Sequence, residues 1–254
     1  MSRIFASFIV VISLLIPIQA LRAQFAPRQG AEEAGLGGKL DLDFSSQYIW
    51  RGLELNNQAV FQPVVRIADM GLEVEAMGNM DLTSSNDSRG KFTQFVYRGG
   101  LAKRSREGEV ALSYIYYDNR DIGYPKTQEI ALEVRWGYPF FAGGDAYWDF
   151  DNADGFYFNS SIGYIGDIGI LRIIPKVALG YATSHYQDHY FGVHESTFLD
   201  FEATLTLEMK IVGGLFIYVD GKYYELAKSG LRHSEENIRR GENFWAQGGL
   251  SLRF

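Results

Sequence analysis

The sequence predicts an all-β chain: a transmembrane antiparallel β-barrel of 12 strands behind a cleavable signal peptide. Three observations carry that reading. Apolar and polar residues alternate over stretches long enough to cross a bilayer at a tilt, the connections between them alternate in length, and nothing after the first residues could span a membrane as a helix, which takes about 20 apolar residues.

The chain opens on Arg3, an apolar run from Ile4 to Ile16, and small residues at Ala20 and Ala23. This pattern describes a secretory signal occupying residues 1–23, followed by a short periplasmic segment, 24–38, and a barrel, 39–254. Removing 1–23 takes away Arg3 and Arg22 and no acid, leaving the chain two charges more negative than its full-length value of −7. Such a balance argues against a nucleic-acid partner, which needs a basic face. With no cysteine, neither a disulfide framework nor a thiolate metal site is available.

Successive side chains on a strand point to opposite faces, so a strand with one apolar side reads with period two. Leu199, Phe201, Ala203, Leu205, Leu207 and Met209 alternate with Asp200, Glu202, Thr204, Thr206, Glu208 and Lys210. Leu40, Leu42, Phe44, Tyr48 and Trp50 alternate in the same way with Asp41, Asp43, Ser45, Gln47 and Arg51, only Ser46 and Ile49 falling out of phase. Extending the pattern predicts strands at 39–51, 58–69, 71–82, 92–103, 108–119, 127–138, 143–151, 156–165, 168–183, 198–210, 214–226 and 243–254. Pro175 lies within the ninth and lacks a ladder N–H, which predicts a bulge or local break there. Turns such as Met70 and Gly166 to Asp167 are short, whereas Ser184 to Thr197 and Ala227 to Glu242 are long and polar. Tight turns at one end and long loops at the other mark an outer-membrane barrel, whose closure leaves no strand edge unpaired in lipid.

A soluble calyx alternates too, with its apolar face inward. Against it stand the strand lengths, and the aromatic residues at strand ends, Tyr48 and Trp50, Trp136 and Tyr138, Tyr147 and Trp148, Tyr223 and Tyr224, read as interfacial girdles. The chain also stops on a strand whose final Phe254 is in phase with the apolar face. That ending resembles the signal read by the barrel assembly machinery of the bacterial outer membrane.

If the apolar face meets lipid, the other face lines a lumen. Its charged residues are then Asp41, Asp43, Arg51, Arg66, Glu73, Glu75, Arg98, Glu133, Arg135, Arg172, Lys176, Glu202, Glu208 and Lys222, joined by Asp81, Glu129, Asp149, Asp200, Asp220 and Lys210. Acids outnumber bases, which favours cations in an open lumen; pairing across the lumen would instead fill it. His185, His189 and His194, with Asp188 and Glu195, crowd one long loop, where a solvated loop tip is the expectation rather than a metal site. Lys228, Arg232, His233, Arg239 and Arg240 could meet lipopolysaccharide phosphates, but Glu225, Glu235, Glu236 and Glu242 nearly cancel them. No G-x-S-x-G elbow occurs and Ser184 beside His185 makes a poor catalytic pair, so neither an enzyme nor a cofactor is expected.

Ser46-Gln47-Tyr48-Ile49-Trp50-Arg51-Gly52 resembles the opening of the TorF-like family of outer-membrane porins. Gln62-Pro63, Gly78-Asn79-Met80-Asp81, and Trp148-Asp149-Phe150-Asp151 followed by Gly155-Phe156-Tyr157 look like the same pattern. The resemblance implies an outer-membrane barrel of a Gram-negative bacterium, among lipids and lipopolysaccharide, serving passive passage of small polar solutes or ions. The alternatives are a non-conducting structural or surface-binding barrel and, third, a barrel lipid hydrolase or protease.

Overall fold

A computed structural model describes residues 36–83, 88–227 and 242–254. The expected signal segment, all but the end of the short segment after it, and the basic residues of the last loop lie outside these.

The chain begins with β1 (Gly37–Ser45), a small hairpin of β2 (Tyr48–Trp50) and β3 (Leu53–Asn56), then β4 (Val60–Asp69), β5 (Leu72–Asp81) and β6 (Phe92–Arg104). It continues with β7 (Gly108–Asn119), β8 (Thr127–Trp136), β9 (Phe140–Asp149), β10 (Gly155–Tyr164), β11 (Gly166–Ile168) and β12 (Leu171–Ala182). A helix, α1 (Ser184–Phe191), precedes β13 (Thr197–Val212), β14 (Leu215–Leu226) and β15 (Glu242–Arg253). Every ladder is antiparallel, and β1 pairs with both β4 and β15 while β10 pairs with both β9 and β12. Leaving aside the β2–β3 hairpin and the short β11, twelve strands thus close a ring.

Pro175 accounts for β11. The register of β10 on β12 runs to Gly163 opposite Lys176 and resumes, unshifted, with Gly166 opposite Ile173. One strand is therefore interrupted where its partner is Pro175, which has no N–H to offer. On its other side β12 stays in register with β13, Pro175 lying opposite Leu205.

Burial decides which way round the barrel faces. Leu101, Leu112, Leu132, Leu205, Val219 and Leu250 stand exposed on the outer surface, while Asp41, Glu129, Asp149 and Asp220 are buried inside. A water-soluble calyx would show the reverse. An outer aromatic belt runs Tyr114, Phe150, Trp148, Phe156, Phe158, Tyr181, Phe198 around the long-loop end, neighbouring ring centroids 5.7–6.5 Å apart. Trp136, Phe140 and Phe254 stand exposed near the short-turn end, which in such barrels faces the periplasm. Phe254 exchanges both backbone hydrogen bonds with Gly38, and its ring lies where a Gly38 side chain would be.

The short turn expected at Gly166 to Asp167 falls instead at Gly169 and Ile170, because Gly166–Ile168 still pairs with β12 as β11, and three further features depart from the expected strands. The first strand does not run to residue 51; it ends at Ser45, and the phase slip at Ser46 and Ile49 marks the turn inward into the β2–β3 hairpin. Tyr48 and Trp50 consequently belong to the interior and not to a girdle, and so, by their place on the inner faces of β9 and β14, do Tyr147 and Tyr224, whereas Trp136, Trp148 and Tyr223 remain outside. Leu199 is also interior. A bulge against Gly180 and Tyr181 inserts one residue in β13, so Phe198 faces out while Leu199 and Asp200 both turn in.

Candidate functional site

Trp50-Arg51-Gly52-Leu53 is a two-residue hairpin turn with positive φ at both central positions, 48° and 82°. Turns of this type favour Asn-Gly, and an arginine held there costs about 1–3 kcal/mol of backbone strain. Its side chain supplies the compensation. Arg51 Nη1 and Nη2 donate to the two carboxylate oxygens of Glu129 at 2.6 and 2.8 Å, and Nη1 also donates to the Tyr186 hydroxyl at 3.2 Å. The guanidinium lies 3.9 Å from the centroid of Tyr147, 4.7 Å from Trp50 and 5.0 Å from Tyr157. Burial alone would depress its pKa; the Glu129 carboxylate and the surrounding tyrosines hold it well above the usual value, so the cation is permanent.

Around this pair the outer end of the lumen is packed. Leu53 of the hairpin, Tyr186, Tyr190 and Phe191 of α1, and Tyr157, Leu199, Tyr224, Leu226 and Trp245 of the wall form one buried cluster. Asp149, fully buried, ties the plug to the rim: it accepts from Tyr190 Oη at 2.7 Å, Thr127 Oγ1 at 2.9 Å, and the backbone N–H groups of Asp151, Asn152 and Ala153 at 3.0–3.3 Å. Gln187 anchors α1 by donating to the carbonyls of Ala182 and Thr197. The stretch expected as a plain loop thus carries a helix whose inner face is Tyr186, Gln187, Tyr190 and Phe191. Its histidines point elsewhere: His185 Nδ1 is 3.2 Å from the Asp154 carbonyl, and the exposed His194 Nδ1 is 3.8 Å from Asp188. Among the described residues no three His, Asp or Glu groups converge as for a metal.

Below the plug the inward charges are largely paired along the β4–β8 wall. Arg66 meets Glu75, Arg98 meets Glu133 at 2.5 Å, and Arg104 bridges Glu73 and Glu109. Farther round, Lys176 meets Glu202 at 3.2 Å, and Glu208 holds Arg253, with Arg172 at 3.9 Å. Arg135 lies 5.8 Å from the Phe141 ring without a bonded acid among the described residues, and Lys222 donates to Gln247 at 2.9 Å. A vestibule of about 830 Å³ at the short-turn end is lined by Tyr138, Arg172, Glu208, Lys210 and Arg253.

The wall formed by β14, β15 and β1 is different. Among the described residues, Asp41, whose other oxygen takes Lys39 at 2.6 Å, has Oδ1 without a partner, and buried Asp220 Oδ1 and Ser251 Oγ are likewise unpartnered. Asp43 accepts from the Tyr218 hydroxyl and from Gln247 Nε2 at 3.1 Å, across Gly249. A side chain at Gly249 would collide with Asp43. Gly249→Val is therefore expected to destabilise the barrel by about 1–3 kcal/mol, measured by urea unfolding in detergent.

Sequence reasoning missed the inward hairpin, α1 and Asp145, which lies on the inner face of β9. The Arg-Gly dipeptide just where the alternation slips was a usable turn signal for the first.

The closed twelve-strand ring, apolar outside and charged inside, is an outer-membrane barrel of porin-like fold. No protein-family model and no curated protein matches the chain. Among solved structures it is similar to a KdgM porin, with TM-score 0.53 over 85% of this chain and 99% of that one at 10% identity. It is similar to a NanC porin, TM-score 0.54 over 84% and 98% at 10% identity, and to an outer membrane channel from Pseudomonas putida F1, TM-score 0.50 over 88% and 97% at 11%. At such identities the likeness is one of fold.

Proposed function

We propose that the protein is a narrow outer-membrane channel for small polar solutes or ions, prefers cations, and is closed toward the outside when the β2–β3 hairpin is seated. The reversed polarity of the closed ring carries this reading: lipid covers the apolar face, and only a lumen explains so many inward charges. Asp43 and Asp220, which have no ion-paired base among the described residues, give the preference its sign, because the cations of the β4–β8 wall are mostly spent on their own acids. One KdgM porin is described in complex with disordered oligogalacturonate, an acidic chain. Here such a chain would meet like charge along β1 and β14.

The resemblance of Ser46 to Gly52 to the opening of the TorF-like porins fits the same reading, since this is the segment that enters the hairpin. Phe254, exposed at the end of the closing strand, suits recognition by the assembly machinery, and the outer rim suits a lipopolysaccharide leaflet. In planar bilayers under a tenfold KCl gradient, the refolded protein is expected to conduct with a reversal potential of cation-selective sign. Silence in both the wild type and a hairpin-released variant would overturn the channel; the anion-selective sign would overturn the preference.

A further inference from the structure

Across the outer wall, from β8 to β15, runs an apolar groove of about 800 Å³. The geometry points to a binding site for one acyl chain of a phospholipid from the periplasmic leaflet. This goes beyond the channel reading and does not depend on it, since it concerns the face turned to lipid.

The groove follows a single row of cross-strand neighbours: Trp136 lies opposite Ala142, and Ile162, Val177, Ala203 and Tyr223 continue the row strand by strand. Large rings stand at its ends, and Ala203 and Gly221 keep its middle low. Pro175 lies in the same groove. With the β10–β12 ladder interrupted there, the Ile165 N–H donates to the Pro139 carbonyl at 2.9 Å, so the end of β10 is held by the β8–β9 turn and not by β12. Neighbouring strands lie about 4.8 Å apart, which makes the row about 24 Å long. Crossing strands tilted by about 45°, it covers about 17 Å of membrane depth, close to the half-thickness of about 15 Å that a chain of one leaflet spans.

Hydrocarbon is what this face meets, and shape decides between a lipid chain and a second barrel. Trp136, Phe140 and Phe244 stand exposed at the two ends. The convex wall of another copy would rest on these rings and leave the floor empty, forfeiting its dispersion contacts, whereas a single file of methylenes reaches the floor. The ends also differ. At the long-loop end the Tyr223 hydroxyl donates to Glu225 at 3.2 Å. At the short-turn end the exposed Trp136 and Tyr164 bring an indole N–H and a hydroxyl to the interface, where phosphate and ester oxygens of a lipid accept such donors. The headgroup therefore sits on the periplasmic side.

The refolded wild type, incubated in detergent with palmitoyl-oleoyl phosphatidylethanolamine and analysed by native mass spectrometry, is expected to retain a single lipid. A Cβ at Gly221 would meet only the Phe244 ring, at 3.8 Å, so Gly221→Leu suits the sheet and fills the groove. It should lower lipid occupancy about fivefold while keeping the heat-modifiable mobility of a folded barrel. Ala203→Val carries the same test with a smaller loss, about twofold. Gly99→Leu, on the outer face of β6 and away from the groove, has open space for its side chain and should leave retention unchanged. No lipid retained by the wild type, undiminished retention in both folded groove variants, or equal loss in Gly99→Leu would overturn the site. Preferential retention of lipid A would overturn the choice of leaflet, and a wild-type dimer dissolved by Gly221→Leu would give the groove to a second copy instead.

Discussion

Arg51→Asn is expected to raise the conductance of the barrel several-fold while leaving the ring folded. Asparagine before glycine is the preferred pair for a turn with two positive φ angles, so the hairpin backbone gains what the arginine had strained. What is lost is the cation. Glu129, fully buried on β8, is then left without its partner, an imbalance that costs about 3–5 kcal/mol. Since 1.4 kcal/mol is tenfold, the equilibrium between seated and displaced hairpin moves by about 10² to 10³. Single-channel recording reads the result as longer or larger openings. Adding Glu129→Gln removes the orphaned charge and should restore most of the unfolding stability and, with it, most of the closure. Unchanged conductance in Arg51→Asn would mean that the hairpin does not control passage.

Leu205→Arg is expected to destabilise the barrel by about 2–4 kcal/mol, whereas the neighbouring Thr206→Arg changes stability little. Leu205 is exposed in the middle of β13, where a guanidinium would have to enter hydrocarbon. Thr206 faces the lumen opposite Asp220, whose unpartnered oxygen an arginine could take up. Urea unfolding in lipid vesicles separates the two. Equal effects would place both side chains in the same solvent and contradict the lipid-facing assignment.

The ring itself was legible because alternation is a local property: Leu205 and Thr206 declare opposite faces wherever the sheet goes. The interior was less so. Tyr147 and Trp148, like Tyr223 and Tyr224, are adjacent, so at most one of each pair can face lipid, yet both kinds of site reward a large ring with a polar atom. Tyr48 and Trp50 keep period two inside the hairpin and so imitate a continuing strand. Leu199 is apolar in either setting, and only the bulge, fixed by β12 and Gly180, decides that it turns in. Asp145 follows Gly143 and Gly144, where no side chains mark a phase, and α1 is too short and too mixed to announce itself. The pairing of lumen charges depends on reach across the barrel, as Arg98 does to Glu133 two strands away, and no one-dimensional pattern encodes it.

The packed outer end also has a mechanical consequence. A hollow tube of hydrogen-bonded strands resists stretching along its ladders but is easily flattened, because changing its cross-section breaks no ladder. Here a solid floor of rings and aliphatic groups, tied to the rim through Asp149 and Gln187, acts as a bulkhead that keeps the outer mouth round. Among the described residues the opposite mouth carries only pairs that run along the wall, such as Arg253 with Glu208 two strands away, and no comparable brace. The unbraced short-turn end is therefore expected to take up more of any deformation imposed by the bilayer than the packed end.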